Sequence, residues 1–326
     1  MRKYLLLGKF LLLALSALTA AHGVAVAQQW PTKQPIHVIV TNTPGSALDV
    51  TARIVFEQVS RQIGQAVVAE NWPGAANVIG IAAVAKAEPD GYTVLVTTSG
   101  IAIAPYTHKT LPYDTTRDLR AVMPLGNLSN VMIAPAGRFK SLQDLVAAAK
   151  AKPNALTYAS LGPGSTGNLS AERLGLSAGF KALQVPFKGT AEGVADLAAG
   201  RIDFFFTPIT AALGLIRENK VEALAIGSSS RSSLMPNLPT TVEAGYPDSD
   251  YNFWIGVFVP AATPQPIAAR LHDEIRKALQ TAEIKDRLAK FGAEPMDMTL
   301  AQFEAYFNKE LEINAALVKA ANISPQ

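Results

Sequence analysis

Short apolar runs alternate with amphipathic stretches along most of this chain. Ile36 to Val40 is a continuous β-branched run of strand length, followed by the loop Thr43-Pro44-Gly45-Ser46. In the stretch up to Gly64, Ala52, Val55, Phe56, Val59 and Ile63 recur at helical spacing, while Arg53, Glu57 and Arg61 keep to the other side. The pattern predicts strand, tight loop and helix, with Gly64 as the C-terminal cap. It then recurs: a strand over Ala66 to Glu70, a loop from Asn71 to Asn77, a helix ending near Ala87, a turn at Pro89-Asp90-Gly91 and a strand over Thr93 to Thr98.

From Ala121 onward the alternation continues. Strands are predicted near Val131 to Ala134, Leu156 to Ser160, Ala182 to Pro186, Ile202 to Phe206 and Val221 to Ile226, with helical segments between them. Ser141 stands three residues before Asp144 in a capping-box-like spacing, and Lys150, Lys152 and Pro153 mark the end of that helix. Phe253 to Val259 reads as a further strand, with helices from Gln265, from Ala282 and from Leu300 toward Asn322. Such alternation predicts an α/β protein with parallel sheets covered by helices on both faces. About 300 residues beyond the leader suggest two domains. No long linker separates them, so the chain is expected to cross between them more than once. That places lobe 1 over residues 28–124 plus 254–326, with lobe 2 inserted as 125–253.

Composition changes the picture mainly at the N-terminus. Arg2 and Lys3 precede an apolar stretch from Tyr4 to Ala20, and Ala25-Val26-Ala27 offers small residues for cleavage. Residues 1–27 therefore read as a signal peptide cleaved near Ala27. A membrane anchor is the competing reading, but Lys9 interrupts the stretch, which falls short of the roughly 20 apolar residues that span a bilayer. Removing Arg2, Lys3 and Lys9 takes the basic count from 29 to 26, equal to the 26 acidic residues. The mature chain is then formally neutral, which removes the support a basic sequence would lend to nucleic-acid binding. Zero cysteines exclude disulfides, thiolate metal sites and a cysteine nucleophile.

The segment Gly162-Pro163-Gly164-Ser165-Thr166-Gly167 is a literal G-x-G-x-x-G between a predicted strand and a helix. A dinucleotide site also needs an acid about 20 residues on, at the end of the next strand. Here Leu183 to Val185 runs into Pro186-Phe187-Lys188, with no acid. What remains is a glycine loop whose free amides and helix dipole form an anion cradle, or else a turn that merely lets the strand reach the helix. Ser165, Thr166 and Asn168 add donors where a carboxylate would sit and favour the cradle.

Thr43-Pro44-Gly45-Ser46 is a second candidate cradle at a strand end, with Asp49 in the first helical turn as either a cap or a ligand contact. Thr97-Thr98-Ser99-Gly100 is a third polar loop, and Lys188-Gly189-Thr190 a fourth. Lys188 either pairs with an anion or is a solvated lysine.

Signatures of catalysis are thin. Past the leader the histidines are His37, His108 and His272, and the first and last fall in a predicted strand and helix. There is no G-x-S-x-G elbow and no H-E-x-x-H helix, and Glu57, Glu172 and Glu243 carry no signature that pairs them. No enzymatic activity, cofactor or metal is expected, although triads do assemble from distant positions.

Beyond the leader the chain resembles the periplasmic solute-binding proteins of the tripartite tricarboxylate transporter family, also called the Bordetella uptake gene family. The resemblance rests on Pro35-Ile36, Gly45 to Arg53, Glu70-Asn71-Trp72-Pro73-Gly74-Ala75, Pro89-Asp90-Gly91-Tyr92, Leu111-Pro112-Tyr113-Asp114, Pro186-Phe187-Lys188-Gly189, Leu238 to Gly245 and Gly292-Ala293-Glu294-Pro295. It implies a two-lobed α/β fold of the type II, hinge-trap kind, each lobe a mainly parallel sheet flanked by helices. It further implies a periplasmic monomer that delivers a small organic carboxylate to integral membrane permease subunits. The carboxylate is expected to be a di- or tricarboxylate, an acidic amino acid or an aromatic acid.

Combined with the loops above, the resemblance makes Asn42, Thr43, Gly45, Ser46, Asp49, Thr98, Ser99, Gly164, Ser165, Thr166, Asn168, Lys188, Gly189, Thr190 and Thr207 the candidate ligand-binding residues. Two departures fall on these loops. Asn42 and Gly45-Ser46 stand where the family usually has an aromatic residue and two glycines. Thr207-Pro208 replaces a common acid and amide, which is expected to favour a more anionic ligand. The run Phe204-Phe205-Phe206 is expected in the core. A secreted hydrolase and a ligand sensor presented to a membrane receptor are the alternative functions.

Overall fold

The computed structural model describes residues 30–74, 77–320, 323 and 325. The signal peptide reading and the last residues of the C-terminal helix reading, 321–322, lie outside them. Two sheets organise the chain. The first contains β1 (Ile36–Val40), β2 (Val67–Asn71), β3 (Thr93–Thr98), β4 (Leu119–Leu128), β10 (Trp254–Pro260) and β11 (Ala293–Glu294), in the order β11-β4-β10-β3-β1-β2. The second holds β5 (Asn130–Pro135), β6 (Thr157–Ser160), β7 (Leu183–Pro186), β8 (Phe204–Pro208) and β9 (Val221–Ile226), in the order β7-β6-β8-β5-β9.

Helices cover the first sheet on both faces, and period-two burial assigns each strand residue to a side. Val38 and Val40 face α1 (Ala47–Ile63), α8 (Gln265–Gln280) and α9 (Ala282–Ala289) in a core with Val55, Leu271 and Ile284. Ile39 faces the other way, with Leu95, Trp254 and Phe258, toward α2 (Val78–Ala85) and Phe303 and Phe307 of α10 (Leu300–Ala320). The α1 boundaries follow local chemistry: Ser46 Oγ accepts from the Asp49 amide at the N-terminus, and Gly64 takes the left-handed conformation (φ 66°) at the C-terminus. A short 3₁₀ turn, Ser99–Ala102, and α3 (Ala104–Thr107) follow β3.

The second sheet is covered in the same manner. Phe204 and Phe206 pack with Leu145 of α4 (Leu142–Ala151) and Leu174 of α5 (Thr166–Ala178). Phe205, on the opposite face, packs with Val194 of α6 (Thr190–Ala198) and Ile209 of α7 (Ile209–Arg217). The triple phenylalanine is therefore core on both sides, as expected.

Each sheet is mainly parallel, as expected, with antiparallel members: β10 and β11 in the first, where β10 runs antiparallel to β3 and β4, and β5 in the second, antiparallel to β8 and β9. The cause is the route between the sheets. β4 leaves the first sheet and becomes β5 of the second across Ser129 alone, and β10 brings the chain back beside β4 in the opposite direction. β4 differs from the sequence reading, which predicts no strand over this stretch; Pro124 and Gly126 interrupt its apolar run. A register shift between Ile255 and Gly256 accommodates it, pairing Gly256 with Pro124, whose nitrogen has no hydrogen to donate.

A small fifth cluster joins the sheets, with Leu317 and Val318 of α10 packed on Leu169 of α5, Ile103 and Tyr251. Buried beside it, Arg173 donates to the Asp250 carbonyl at 2.5 Å and lies over the Tyr251 ring, 5.6 Å from its centroid. Burial pushes the nearby Glu310 carboxyl up, against the pull of Arg173. Among the described residues no helix is long and apolar enough to cross a membrane.

Two stability outcomes follow. A Cβ at Gly256 would stand 2.8 Å from Trp254 Cζ3 and 2.9 Å from Phe303 Cζ, so Gly256→Ala is expected to lower unfolding stability by about 1–3 kcal/mol in a denaturant titration. Because the folded Glu310 carboxyl titrates above its ordinary range, its charged form disfavours folding, and that penalty grows as pH rises from the ordinary glutamate range through the folded value. Glu310→Gln is therefore expected to raise the melting midpoint at pH 7.5 relative to wild type, and to leave it little changed near pH 4.

Candidate functional site

The ends of β1 and β3 in one lobe face the ends of β6 and β8 in the other across a cavity of about 450 Å³, within the ~300–1,000 Å³ usual for small-molecule sites. Ligands of open α/β sheets bind at such strand ends. On the first lobe the wall is made by Asn42, Asn77, Thr98, Ser99 and Gly100, then by Ile103, Ala104, Thr107 and His108 around α3. Leu161, Pro163 to Gly167 and Thr190 face them from the second lobe. Asn130, Tyr251 and Phe253 form the floor near the crossings. Among these described residues none is Asp, Glu, Lys or Arg.

The loop after β6 is built by its sequence to expose amides. Gly162 and Gly164 hold φ of 109° and 77°, a region that disfavours other residues. Ser165 caps α5, its Oγ accepting from the Asn168 amide and donating to the Gly162 carbonyl at 2.7 Å. Asn168 is buried behind the loop: its Oδ1 accepts from the Gly164 amide at 2.9 Å, and its Nδ2 donates to Tyr158 Oη at 2.8 Å. The first-turn amides of Thr166 and Gly167 have no carbonyl four residues back within the helix. Gly167 is itself pressed against the sheet, since a Cβ there would meet the Phe206 carbonyl at 3.0 Å.

The loop after β1 has the same construction and a different position. Asn42 reaches the cavity, whereas Thr43, Gly45, Ser46 and Asp49 are not among its lining residues. Asp49 is buried and receives the Gly45 amide (2.8 Å), Asn71 Nδ2 (2.9 Å) and Arg53 Nε (2.9 Å). Burial opposes its ionisation, but the Gly45 amide, Asn71 and Arg53 outweigh that and hold the carboxyl below the usual aspartate range. Asn71 Nδ2 also donates to the Asn42 carbonyl, so this cluster braces the wall from behind.

Of the remaining sequence candidates, Thr98, Ser99 and Thr190 line the cavity. Lys188 is exposed, its amide donating to Glu192, and neither it nor Gly189 lies on the wall. Thr207 is wholly buried away from the cavity, and it is Pro208 that reaches the wall. The sequence reading missed Asn77, His108, Asn130, Tyr251 and Phe253. Asn130 and Tyr251 flank the two crossings, and no local motif marks them. Tyr251 is buried, which pushes its hydroxyl up to about 12 and keeps it protonated at neutral pH. His37 and His272 are engaged elsewhere, His37 with Glu70 and His272 with Asp273 and the Met298 carbonyl. Among the described residues there is no group of three or more His, Cys, Asp or Glu placed to hold a metal.

Residues 51–323 match the family described as the tripartite tricarboxylate transporter family receptor, TctC. The chain belongs to that family. A protein encoded in the tcbD–tcbE intergenic region of Pseudomonas sp. (strain P51) is 34% identical over 282 residues, covering 86% of this chain and 84% of the relative. Among solved structures, Rpa4515 of R. palustris with adipate aligns with a TM-score of 0.75 at 29% identity, over 91% of this chain and all of the other. MatC from Rhodopseudomonas palustris with bound malate aligns with a TM-score of 0.70 at 28% identity, over 88% of this chain and 99% of the other. The TctC receptors are periplasmic solute-binding proteins, and the two lobes around an interlobe cavity are the α/β architecture of that class.

The Asp49 cluster yields a pH signature. A carboxyl held below its unfolded value contributes stability above the ordinary aspartate range and loses it as pH falls through the folded value. Asp49→Asn is expected to cost about 1–2 kcal/mol at pH 7, with the difference from wild type closing in urea titrations as pH falls through the ordinary aspartate range and below it.

Proposed function

We propose that this TctC-family receptor captures a small organic carboxylate between its lobes and hands it to the membrane permease subunits of a tripartite tricarboxylate-type transporter, with no chemical change to the ligand. The observation that carries the reading is the wall of the cavity: the N-terminus of α5 with its glycine loop, and no acidic side chain to repel an anion. Helix N-termini present both donors and positive potential to such groups. Adipate and malate, held by the two structural neighbours, are carboxylates.

In this reading lobe 2 is the inserted segment, and the passages fall at Ser129 and at Tyr251 to Phe253, since β4 belongs to the first sheet through Leu128. Closure turns about these passages. A charge-assisted hydrogen bond contributes about 1.5–3 kcal/mol, while micromolar affinity needs about 8 kcal/mol beyond the cost of closure. Several donors from both lobes must therefore act together.

The test is thermal unfolding of ligand-free refolded protein against matched pairs of acids and their primary amides. Acids present at 100 times their dissociation constant are expected to add about 2.7 kcal/mol, and the amides to add little. Equal stabilisation by acid and amide, or turnover of the acid, would overturn the reading. Deleting the gene is expected to abolish uptake of the same acid.

A further inference from the structure

Gly292 to Pro295 and Leu238 to Gly245 take no part in the cavity, and the structure joins them through residues 231–233. Glu294 belongs to β11, an outermost strand of the first sheet, which pairs with β4 at Asn127 and Leu128 just before the crossing. Its Oε1 accepts from Ser233 Oγ at 2.6 Å, from the Ser233 amide at 2.8 Å and from Ser232 Oγ at 3.3 Å. Both serines lie in the loop after β9, an outermost strand of the second sheet. That loop is tied to its own sheet. Arg231 Nε donates to Glu243 Oε2 at 2.8 Å, the same oxygen accepts from the Thr240 amide at 2.9 Å, and the Thr241 amide donates to the Ile226 carbonyl at 2.9 Å. Packing accompanies the polar bonds: a Cβ on Gly292, just before β11, would stand 3.2 Å from Leu234 Cδ1 and 3.5 Å from Thr210 Cγ2 of α7. A carboxylate rooted in one sheet is thus held by donors rooted in the other.

Strand order puts this contact across the crossings from the cavity. In the first sheet β4 and β10 stand between β11 and the strands β3 and β1, whose ends reach the cavity. In the second sheet β5 stands between β9 and the strands β8 and β6, whose ends reach it from the other side. A rotation about the crossings that brings the cavity walls together therefore carries β11 away from the loop after β9, as the far arm of a lever. Hydrogen bonds of this kind are confined to about 2.5–3.2 Å, and a charged acceptor makes them the stronger sort. Closing the cavity has to part them.

Resting on the reading above that the lobes close about these passages, we propose that Glu294 and the Ser232-Ser233 loop form a latch that holds the cavity open and sets the population of the closed form. The latch touches no ligand. It acts on affinity because the apparent dissociation constant is the intrinsic one divided by the fraction of molecules able to close. Glu294 is in this sense a positioning residue, and weakening its bonds tightens binding.

The chain has no cysteine, so spin labels on Lys86→Cys and Lys188→Cys, exposed positions on the first and second lobes, report the width of the cavity side in the mature protein. Pulsed dipolar spectroscopy reads the distance between them. Without added acid, Glu294→Ala is expected to raise the short-distance population about 3-fold or more over wild type, and to tighten binding of adipate, malate or benzoate by the same factor. Ser233→Ala, at an exposed position, is expected to shift the population the same way by less. The double variant is expected to go no further than Glu294→Ala, since both changes remove one contact. All three are expected to keep a cooperative unfolding transition. A wild type that shortens with acid, beside a Glu294→Ala population that is unchanged or moved to longer distances, overturns the latch alone, as do additive effects in the double variant. A wild type whose distance stays the same with every acid that stabilises it removes the closure reading and the latch together.

Discussion

The architecture depends on how the backbone passes from one sheet to the other. Only Ser129 separates β4 from β5, and on the return path Tyr251 to Phe253 lie beside it. These passages are held in register by short bonds: the Gly227 amide to the Asn130 carbonyl (2.8 Å), the Tyr251 amide to the Gly227 carbonyl (2.7 Å) and the Leu128 amide to the Phe253 carbonyl (2.8 Å). Ser228 Oγ donates to Ser129 Oγ at 3.2 Å, and Asn252 Oδ1 accepts from both the amide and the hydroxyl of Ser229. With the crossings so short, the strand ends of both sheets must open toward one another, and the cavity results from that constraint.

The same constraint explains why polar backbone groups near the cavity are used unequally. Loops at the open strand ends cannot pair with a neighbouring strand, so they depend on local side chains for partners. In the first lobe Asp49 accepts the Gly45 amide, Asn71 donates to the Asn42 carbonyl and Arg53 holds Asp49, which turns the loop into a brace. In the second lobe Asn168 fixes the loop from behind, with a neutral amide tied to Tyr158 and through it to Glu172. One loop has become scaffold and its counterpart faces the cavity.

Much of the fold was legible in the residues because its signals are local. The Ile36–Val40 strand, the Ser141 and Gly64 caps and the buried phenylalanines of β8 are set by neighbours within a few positions. The antiparallel strands were not legible, since the pairing of β10 with β3 and β4 is decided by residues more than a hundred positions apart. The strand β4 was hidden because Pro124 and Gly126 read as breakers, while their tolerance depends on the irregular pairing opposite them. The glycine loop at Gly162 to Gly167 could be found from spacing alone. Asn130 could not, since one asparagine at the start of an apolar strand looks like any other until the second crossing closes beside it.

Trp254 follows the return passage directly and is fully buried, ringed by Phe258, Phe303, Tyr306 and Phe307 at centroid distances of 5.6–6.3 Å. Phe253, next to it in the chain, lines the cavity. The other tryptophans stand apart, Trp30 against Tyr92 and Trp72 on the surface. Trp254 and its four aromatic neighbours all belong to the first lobe, so this native fluorophore reports the integrity of that lobe's core apart from the second lobe, which carries no tryptophan.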